Sequence, residues 1–459
     1  MRWLGLDVHK DFAEVAEALP GGTVRQLGRI RTTPAALRAF AEGLRPDDQV
    51  ALEATINTFA IARLLEEHAG RVVVSNPMRT RAIADAKIKT DKVDAGVLAQ
   101  LLAADYLPGV WQPDDGTQAL RRLVARRAHI VRQRTRLKNQ VHALLLRNLI
   151  TGCPATDPFG KRGRAWLRQL ALPAEERDAL DSNLRLLELF DEELAVAEVA
   201  CARAATGRDD VRRLMTVPGV DFSVALALVA AIGDIERFPS PQRLVSYFGL
   251  DPRVRQSGSQ PARTGLRITK VGRAHARGML VEAAWAVART PGPLRAFFDR
   301  VRARRGPQIA AVALARKLSV LTWHLLTRGQ DYLWARPALM AAKYRRLDLR
   351  AGAPARRGQR GAAANYWASA ESRAHDRALP AAAEARYRKL TDNWKERLRP
   401  LGEGETGRDG RGRLKGEATR WPVAGSAAEV TSPSSALLHE VDRAQPHDSP
   451  RGRPRTDSR

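Results

Sequence analysis

The segment KTDKVDAGVLAQLL (89–102) carries two acids, Asp91 and Asp94, at the front of an apolar-striped stretch. One helical turn apart, their side chains point the same way. Such acids can simply favour the positive end of a helix dipole. They can also hold metal ions against a phosphodiester. Two further acids bear on that choice. Asp7 lies inside WLGLDVHK and Glu53 inside VALEAT, both apolar strand-like runs. A carboxylate there is unfavourable by propensity and by burial. Each has an ordinary reading alone: Asp7 paired with Lys10, Glu53 with an arginine. All four on strand, strand and helix are expected to converge, provided the first and fourth strands are neighbours. Each pair of ionised carboxylates about 4 Å apart costs roughly 4 kcal/mol at an effective dielectric near 20. Protonation, basic partners or divalent cations must compensate. Hard oxygen ligands select Mg²⁺ or Mn²⁺, and two such ions can clamp a scissile phosphate. His9 reads as a supporting or surface residue, having no second ligand nearby in sequence.

The balance of charge agrees with a polyanionic partner. The 459 residues include 77 Lys and Arg against 50 Asp and Glu, a net charge of +27. Nucleic acid comes first and an anionic membrane second. No apolar run reaches the roughly 18 residues of a membrane span, the longest candidate being Val224 to Ile232. The N-terminal MRWLGLDVHK has an acid within its short apolar stretch and does not read as a signal peptide. Cys153 and Cys201 give no disulfide framework and no Cys-rich zinc site, which fits a reducing cytoplasm.

The elements that must position the acids follow an α/β order. Strands are expected at 3–8, 12–19 and 23–30, with Gly21-Gly22 as the hairpin turn. A helix opens at Pro34, a strand follows at 49–55, a helix at 58–68 and a strand at 71–77. This is the order of a ribonuclease-H-like domain. Beyond it, Leu123, Ile130, Leu137 and Leu144 repeat every seven residues amid arginines. A second series, Leu180, Leu187, Leu194 and Cys201, has acidic flanks at Glu188, Asp191, Glu192 and Glu193. The two read as long antiparallel helices, in a coiled coil or an ordinary bundle, paired within the chain or across a dimer. LMTVPGVDFSVALALVAAIGD (214–234) resembles a helix-hairpin-helix, which offers backbone N–H groups to phosphates. Helices are also expected at 243–252 and 276–288. The boundaries expected are 1–112 for the nuclease-like domain, 113–206 for the helical linker and 207–335 for a C-terminal domain. Residues 340–459 read as a low-complexity basic tail, mostly disordered, with partial helix at 366–399.

GLDVHK (5–10), LEAT (52–55), SNP (75–77) and KTDKVDA (89–95) together resemble the DEDD-type insertion-sequence transposases. This is insertion-sequence family one-hundred-and-ten, which includes bridge-RNA-guided recombinases and pilin-gene-type DNA invertases. VPGV (217–220), FGLDPRVRQSGS (248–259) and ITKVGRAHARGMLVEAAW (268–285) resemble the family's second domain. The resemblance spans residues 5 to about 330. It implies a RuvC-like nuclease domain, a coiled-coil linker and a C-terminal domain with an essential serine. It also implies DNA recombination by a homo-oligomer, dimer or tetramer, with a structured guide RNA in many members. By motif position the acids are Asp7, Glu53, Asp91 and Asp94, and the serine is Ser257.

That serine lies in GLDPRVRQSGSQPARTG (249–265), whose Gly, Pro and small polar residues read as an exposed loop. Arg253, Arg255, Arg263, Arg267, Lys270 and Arg273 surround it and suit a phosphodiester. His275 is the nearest imidazole, and Ser259 is a rival two residues away. From the residues alone, a loop serine is ordinarily no more than that. The resulting expectation is a composite site: metal held by the four acids, with Ser257 as nucleophile. Two rivals stand beside it. A structure-specific RuvC-like nuclease would use the acids without the serine. A non-catalytic nucleic-acid-binding relative would need neither. The DNA target, any guide RNA and the subunit number are not written in these residues.

Overall fold

The computed structural model describes residues 1–83, 90–254, 256, 267–354 and 370–397. The first 75 residues build one sheet. β1 (Trp3–Val8), β2 (Phe12–Ala18) and β3 (Val24–Arg31) form an antiparallel meander. Gly21 and Gly22 turn the β2–β3 hairpin with φ of 87° and 84°, which only glycine adopts freely. Buried Glu14 and Glu17 on β2 pair with Arg29 and Arg25 on β3 and fix the register. β4 (Gln49–Glu53) and β5 (Arg71–Ser75) continue the sheet in parallel, in the order β3-β2-β1-β4-β5.

Alternation assigns the two faces. Leu4, Leu6 and Val8 point to one side, against α1 (Pro34–Glu42) and α2 (Thr58–Glu66). Gly5 and Asp7 point to the other. There α4 (Asp91–Ala103) lies across the sheet, and its Leu98 and Leu102 pack on Ala51 and Val73. The short α3 (Pro77–Ile83) follows β5, and Asn76 Oδ1 accepts from Met78 N and Arg79 N at its start. In this domain the expected strands and helices are present, with the fourth strand, the second helix and the fifth strand each ending two residues earlier than expected, at Glu53, Glu66 and Ser75.

α5 (Asp115–Arg147) and α7 (Ala174–Ala205) are the two long helices. They run antiparallel within one chain. Ion pairs Arg127–Glu198, Arg126–Glu193, Arg134–Asp191 and Arg147–Glu176 step along their length. α6 (Lys161–Gln169) folds over the pair through Arg164 to Asp191 and Arg168 to Glu188. Leu137, Val141, Leu144, Leu180, Leu184 and Leu187 form the apolar seam.

The C-terminal unit is helical: α8 (Asp209–Met215), α9 (Phe222–Ile232), α10 (Pro241–Tyr247), α11 (Ala274–Ala288), α12 (Pro293–Arg305) and α13 (Pro307–Arg328). Among the described residues, helix α13 is long and apolar enough to cross a bilayer by length and composition alone. Arg316 and Lys317 interrupt it, and its Leu314, Leu318 and Leu325 join the protein core.

The tail expectation needs correction. α14 (Pro337–Ala351) is a packed helix whose Leu347 is fully buried in the same core as Leu214 and Val220. α15 (Ala370–Arg397) is held by charge: Asp376 pairs with Arg336, and Glu384 with Arg295 and Gly292 N. α15 falls within the partial helix expected at 366–399, whereas α14 matches no expected helix although it carries Leu339, Met340, Tyr344, Leu347 and Leu349. The rest of the expected tail, 355–369 and 398–459, lies outside the described residues.

Candidate active site

Asp7 and Glu53 are brought side by side by the parallel pairing of β1 and β4. Leu6 opposes Leu52, so each acid is the next residue on its own strand. Glu53 shares the face of Ala51, which packs on α4. On that face Gly5 is pressed against the α4 backbone. A Cβ at residue 5 would sit 2.6 Å from Ala99 N and closer still to Ala95 O. Thr90 caps the helix by accepting from Val93 N at 3.3 Å, and the next turn carries Asp91 and Asp94. The missing side chain at Gly5 thus lets the helix deliver its acids to the sheet.

The tightest group is Asp7, His9 and Asp91, with one ligand atom from each lying within 4.8 Å of the others. His9 Nε2 lies 3.1 Å from Asp7 Oδ2 and 3.3 Å from Asp91 Oδ1. Glu53 and Asp94 flank this group without belonging to it. Burial pushes the Asp7 carboxyl above its usual range. His9 opposes that shift, while the charges of Asp94 and Asp91 add to it. Only 14% of the Asp7 side chain is exposed. Two carboxylates and an imidazole, converging with Asp94 near enough to be felt, form a donor set that suits a divalent cation. His9 is the residue that sequence reasoning set aside. It stands one residue past the end of β1, and the docking of α4 brings it to Asp91.

The second cluster lies at the base of the loop after α10. Pro252 bridges Ile268, Arg253 N donates to Arg267 O, and Thr269 N donates to Asp251 O. Arg253, Arg267, Lys270 and Arg273 are exposed on this base. Ser257, Arg255 and Arg263, together with Ser259, lie outside the described residues. Arg273 Nε donates to Tyr247 Oη at 2.8 Å. Tyr247 Oη donates in turn to Ala231 O, and Arg121 donates to Ala230 O and Ala231 O. Arg237 stacks over Trp111, Phe238 and Tyr247 at 4.3, 4.1 and 4.5 Å. Trp111, which follows the sheet domain, thereby docks against Gly233 and the end of α9. Burial and the charges of Arg273 and Arg237 push Arg121 down to about 10. None of Trp111, Arg121, Arg237 or Tyr247 had a sequence motif to mark it.

The hairpin at 214–222 departs from its expected role. Val217 and Pro218 are buried, and Gly219 is packed against Ala283 and Val287 of α11. Asp221 caps α9 by accepting from Phe222 N. The turn therefore presents an acid where open N–H groups for a phosphate were expected.

Two family models match this chain. A DEDD transposase domain covers residues 4–149, and the transposase IS116/IS110/IS902 family covers residues 211–299. A probable family 20 transposase of Pseudomonas aeruginosa is 31% identical over 328 residues, spanning 67% of this chain and 90% of the relative. The chain belongs to the IS116/IS110/IS902 transposase family. Another relative, a putative transposase of Sinorhizobium fredii, is 29% identical over 63% of this chain and 72% of its own length. A pilin gene-inverting protein of Moraxella bovis is 29% identical over 42% of this chain and 52% of its own. This IS110-type transposase carries its DEDD match on the sheet domain and on α5, and its second match on α8 to α12. Helices α14 and α15 lie beyond both.

Proposed function

We propose that this transposase recombines DNA through a composite site, with Asp7, Glu53, Asp91 and Asp94 as metal ligands and Ser257 as nucleophile. The convergence of Asp7 and Asp91 about His9 carries the reading. The sheet order β3-β2-β1-β4-β5, antiparallel then parallel, supports a RuvC-like, ribonuclease-H-like nuclease domain in residues 1–112. Mg²⁺ or Mn²⁺, as two ions, would supply Lewis acidity at the attacking and leaving oxygens when bound. His9 bridges Asp7 and Asp91 and holds both carboxylates in orientation. Arg253, Arg267, Lys270 and Arg273, with Arg255 and Arg263, bind phosphate oxygens and offset the charge that builds at phosphorus. The Ser257 oxygen bonds to phosphorus as its proton leaves. The bond to one deoxyribose oxygen breaks, and that oxygen takes up a proton. The broken strand stays attached to the protein until the reverse attack rejoins it.

The α5–α7 pair is the coiled-coil linker of this reading (113–206), joining the nuclease domain to the serine-bearing domain (207–335). Work by a cytoplasmic homo-oligomer, with a structured guide RNA reading the target, completes it. A second enzyme reading, a structure-specific nuclease, shares the acids but not the serine.

The test is strand exchange on supercoiled plasmid with Mg²⁺ or with chelator, for wild type, Asp7→Ala and Ser257→Ala. Both variants should lose exchange and keep nucleic-acid binding. Normal recombination by either variant overturns the assignment of that residue. Cleavage retained by Ser257→Ala but lost by Asp7→Ala favours the nuclease.

A further inference from the structure

Lys343 is a buried cation gripped by backbone: among the described residues its ammonium hydrogen-bonds to carbonyl oxygens, with Asp221 acting on it only through its charge. Its side chain stands on α14, beyond both family matches, and the residue is 4% exposed. Nζ donates to three backbone carbonyls: Met215 O at 2.7 Å, Val217 O at 2.7 Å and Val220 O at 2.8 Å. An ammonium has three N–H donors, and all three are used.

The acceptors belong to a single six-residue turn, at positions i, i+2 and i+5. Met215 ends α8, so its carbonyl is one that a helix leaves unpaired. The chain reverses at Pro218-Gly219, with Gly219 at φ 78°, and aims the other two carbonyls inward. Val217 O also accepts from Val220 N at 3.2 Å, and the convergence of the three carbonyl dipoles favours a positive centre. Carbonyl rings without formal charge suit a weakly hydrated monovalent ion. Divalent ions call for carboxylates and a fuller shell.

We propose that the 215–220 turn is a monovalent-cation site in its own right, and that Lys343 is its tethered occupant. With the side chain shortened, the ring takes K⁺ or a small alkylammonium ion from solution. Burial pulls the Lys343 amine down to about 8, and nearby Asp221 opposes that shift, as expected for an ammonium held by neutral oxygens. The site has structural reach. Gly219 abuts Ala283 and Val287 of α11, and that helix begins directly after Arg273 at the loop base. The cation therefore fixes the seat of the helix that leads from the basic cluster.

The experiment uses the full chain as wild type, Lys343→Ala and Lys343→Met. Thermal unfolding is followed in choline, sodium, potassium and methylammonium chloride at matched ionic strength. Wild type should respond equally to all four salts. Lys343→Ala should lose several degrees in choline and regain part of that loss, saturably, in potassium or methylammonium. Lys343→Met fills the space with an apolar stem, so it should lose stability and show no such recovery. If Lys343→Ala does not fold in choline, recovery of folded protein on adding potassium or methylammonium becomes the readout. A Lys343→Ala salt response parallel to that of wild type, or no recovery in either salt, overturns the proposal.

Discussion

Gly5 of β1 and Ala95 of α4 meet backbone to backbone, with no room for a side chain between them. The pair lies one alternate residue before Asp7 and one residue after Asp94. Gly5→Ala is expected to push α4 off the sheet and cost about 1–3 kcal/mol, the usual range for overpacking a core. Urea unfolding measures the loss. Any stabilisation of the wild type by Mn²⁺ should shrink with it, since Asp91 and Asp94 move with the helix.

Asp7 sets a pH dependence. Its folded carboxyl binds its proton more tightly than the unfolded one, so the group contributes stability below the carboxylate range. That contribution is lost as pH rises through the raised native value. Asp7→Asn removes the penalty. The metal-free variant should be more stable than wild type at neutral pH and lose this advantage in acid. Thermal melts across that range, with chelator present, check the crossing. With Mn²⁺ added, only wild type should gain stability.

Much of this site was legible, for a physical reason. A carboxylate in an apolar strand conflicts with its surroundings, and Asp7 and Glu53 stood out on that ground. Helix spacing paired Asp91 with Asp94. His9 was not legible as a partner because its closeness to Asp91 is made by docking of α4, not by spacing along the chain. The packed helix at 337–351 was not legible as one element. Its buried side chains are Ala338, Lys343 and Leu347, and the expected tail begins at 340, inside this helix. A local signal existed, for Pro241, Pro293, Pro307 and Pro337 each open a helix.

The joint at Trp111 should be energetically significant. Its ring is stacked by Arg237 and lies 5.2 Å from the Arg121 guanidinium, against Gly233. Trp111 is only partly buried, so Trp111→Ala is expected to cost less than the ~3–5 kcal/mol of a core aromatic, about 1–3 kcal/mol. Limited proteolysis of the segment around 105–115 should quicken, while Trp111→Phe should restore most of the protection.

The α5–α7 pair offers a cycle. Arg127 and Glu198 are both about one-fifth exposed and 3.0 Å apart. A double-mutant cycle to alanine should give a coupling of about 0.5–1 kcal/mol that falls as salt rises. A coupling near zero at low salt would show that this ion pair adds nothing to the apolar seam.

Asp376 is fully buried against Arg336. Asp376→Ala strands the arginine and should cost about 3–5 kcal/mol. Protection of α15 in hydrogen exchange should fall first, with α8 to α13 protected as before.

The rungs between 249–253 and 267–270 join the two stems that flank Ser257 in sequence. Because the crossing is sealed there, added residues between the stems need not disturb Tyr247 or α11. Lengthening would cost only chain entropy, roughly 0.6 kcal/mol for each doubling. A change of length between the two flanks is therefore decoupled from the Tyr247–Arg273 contact that ties them to the helices.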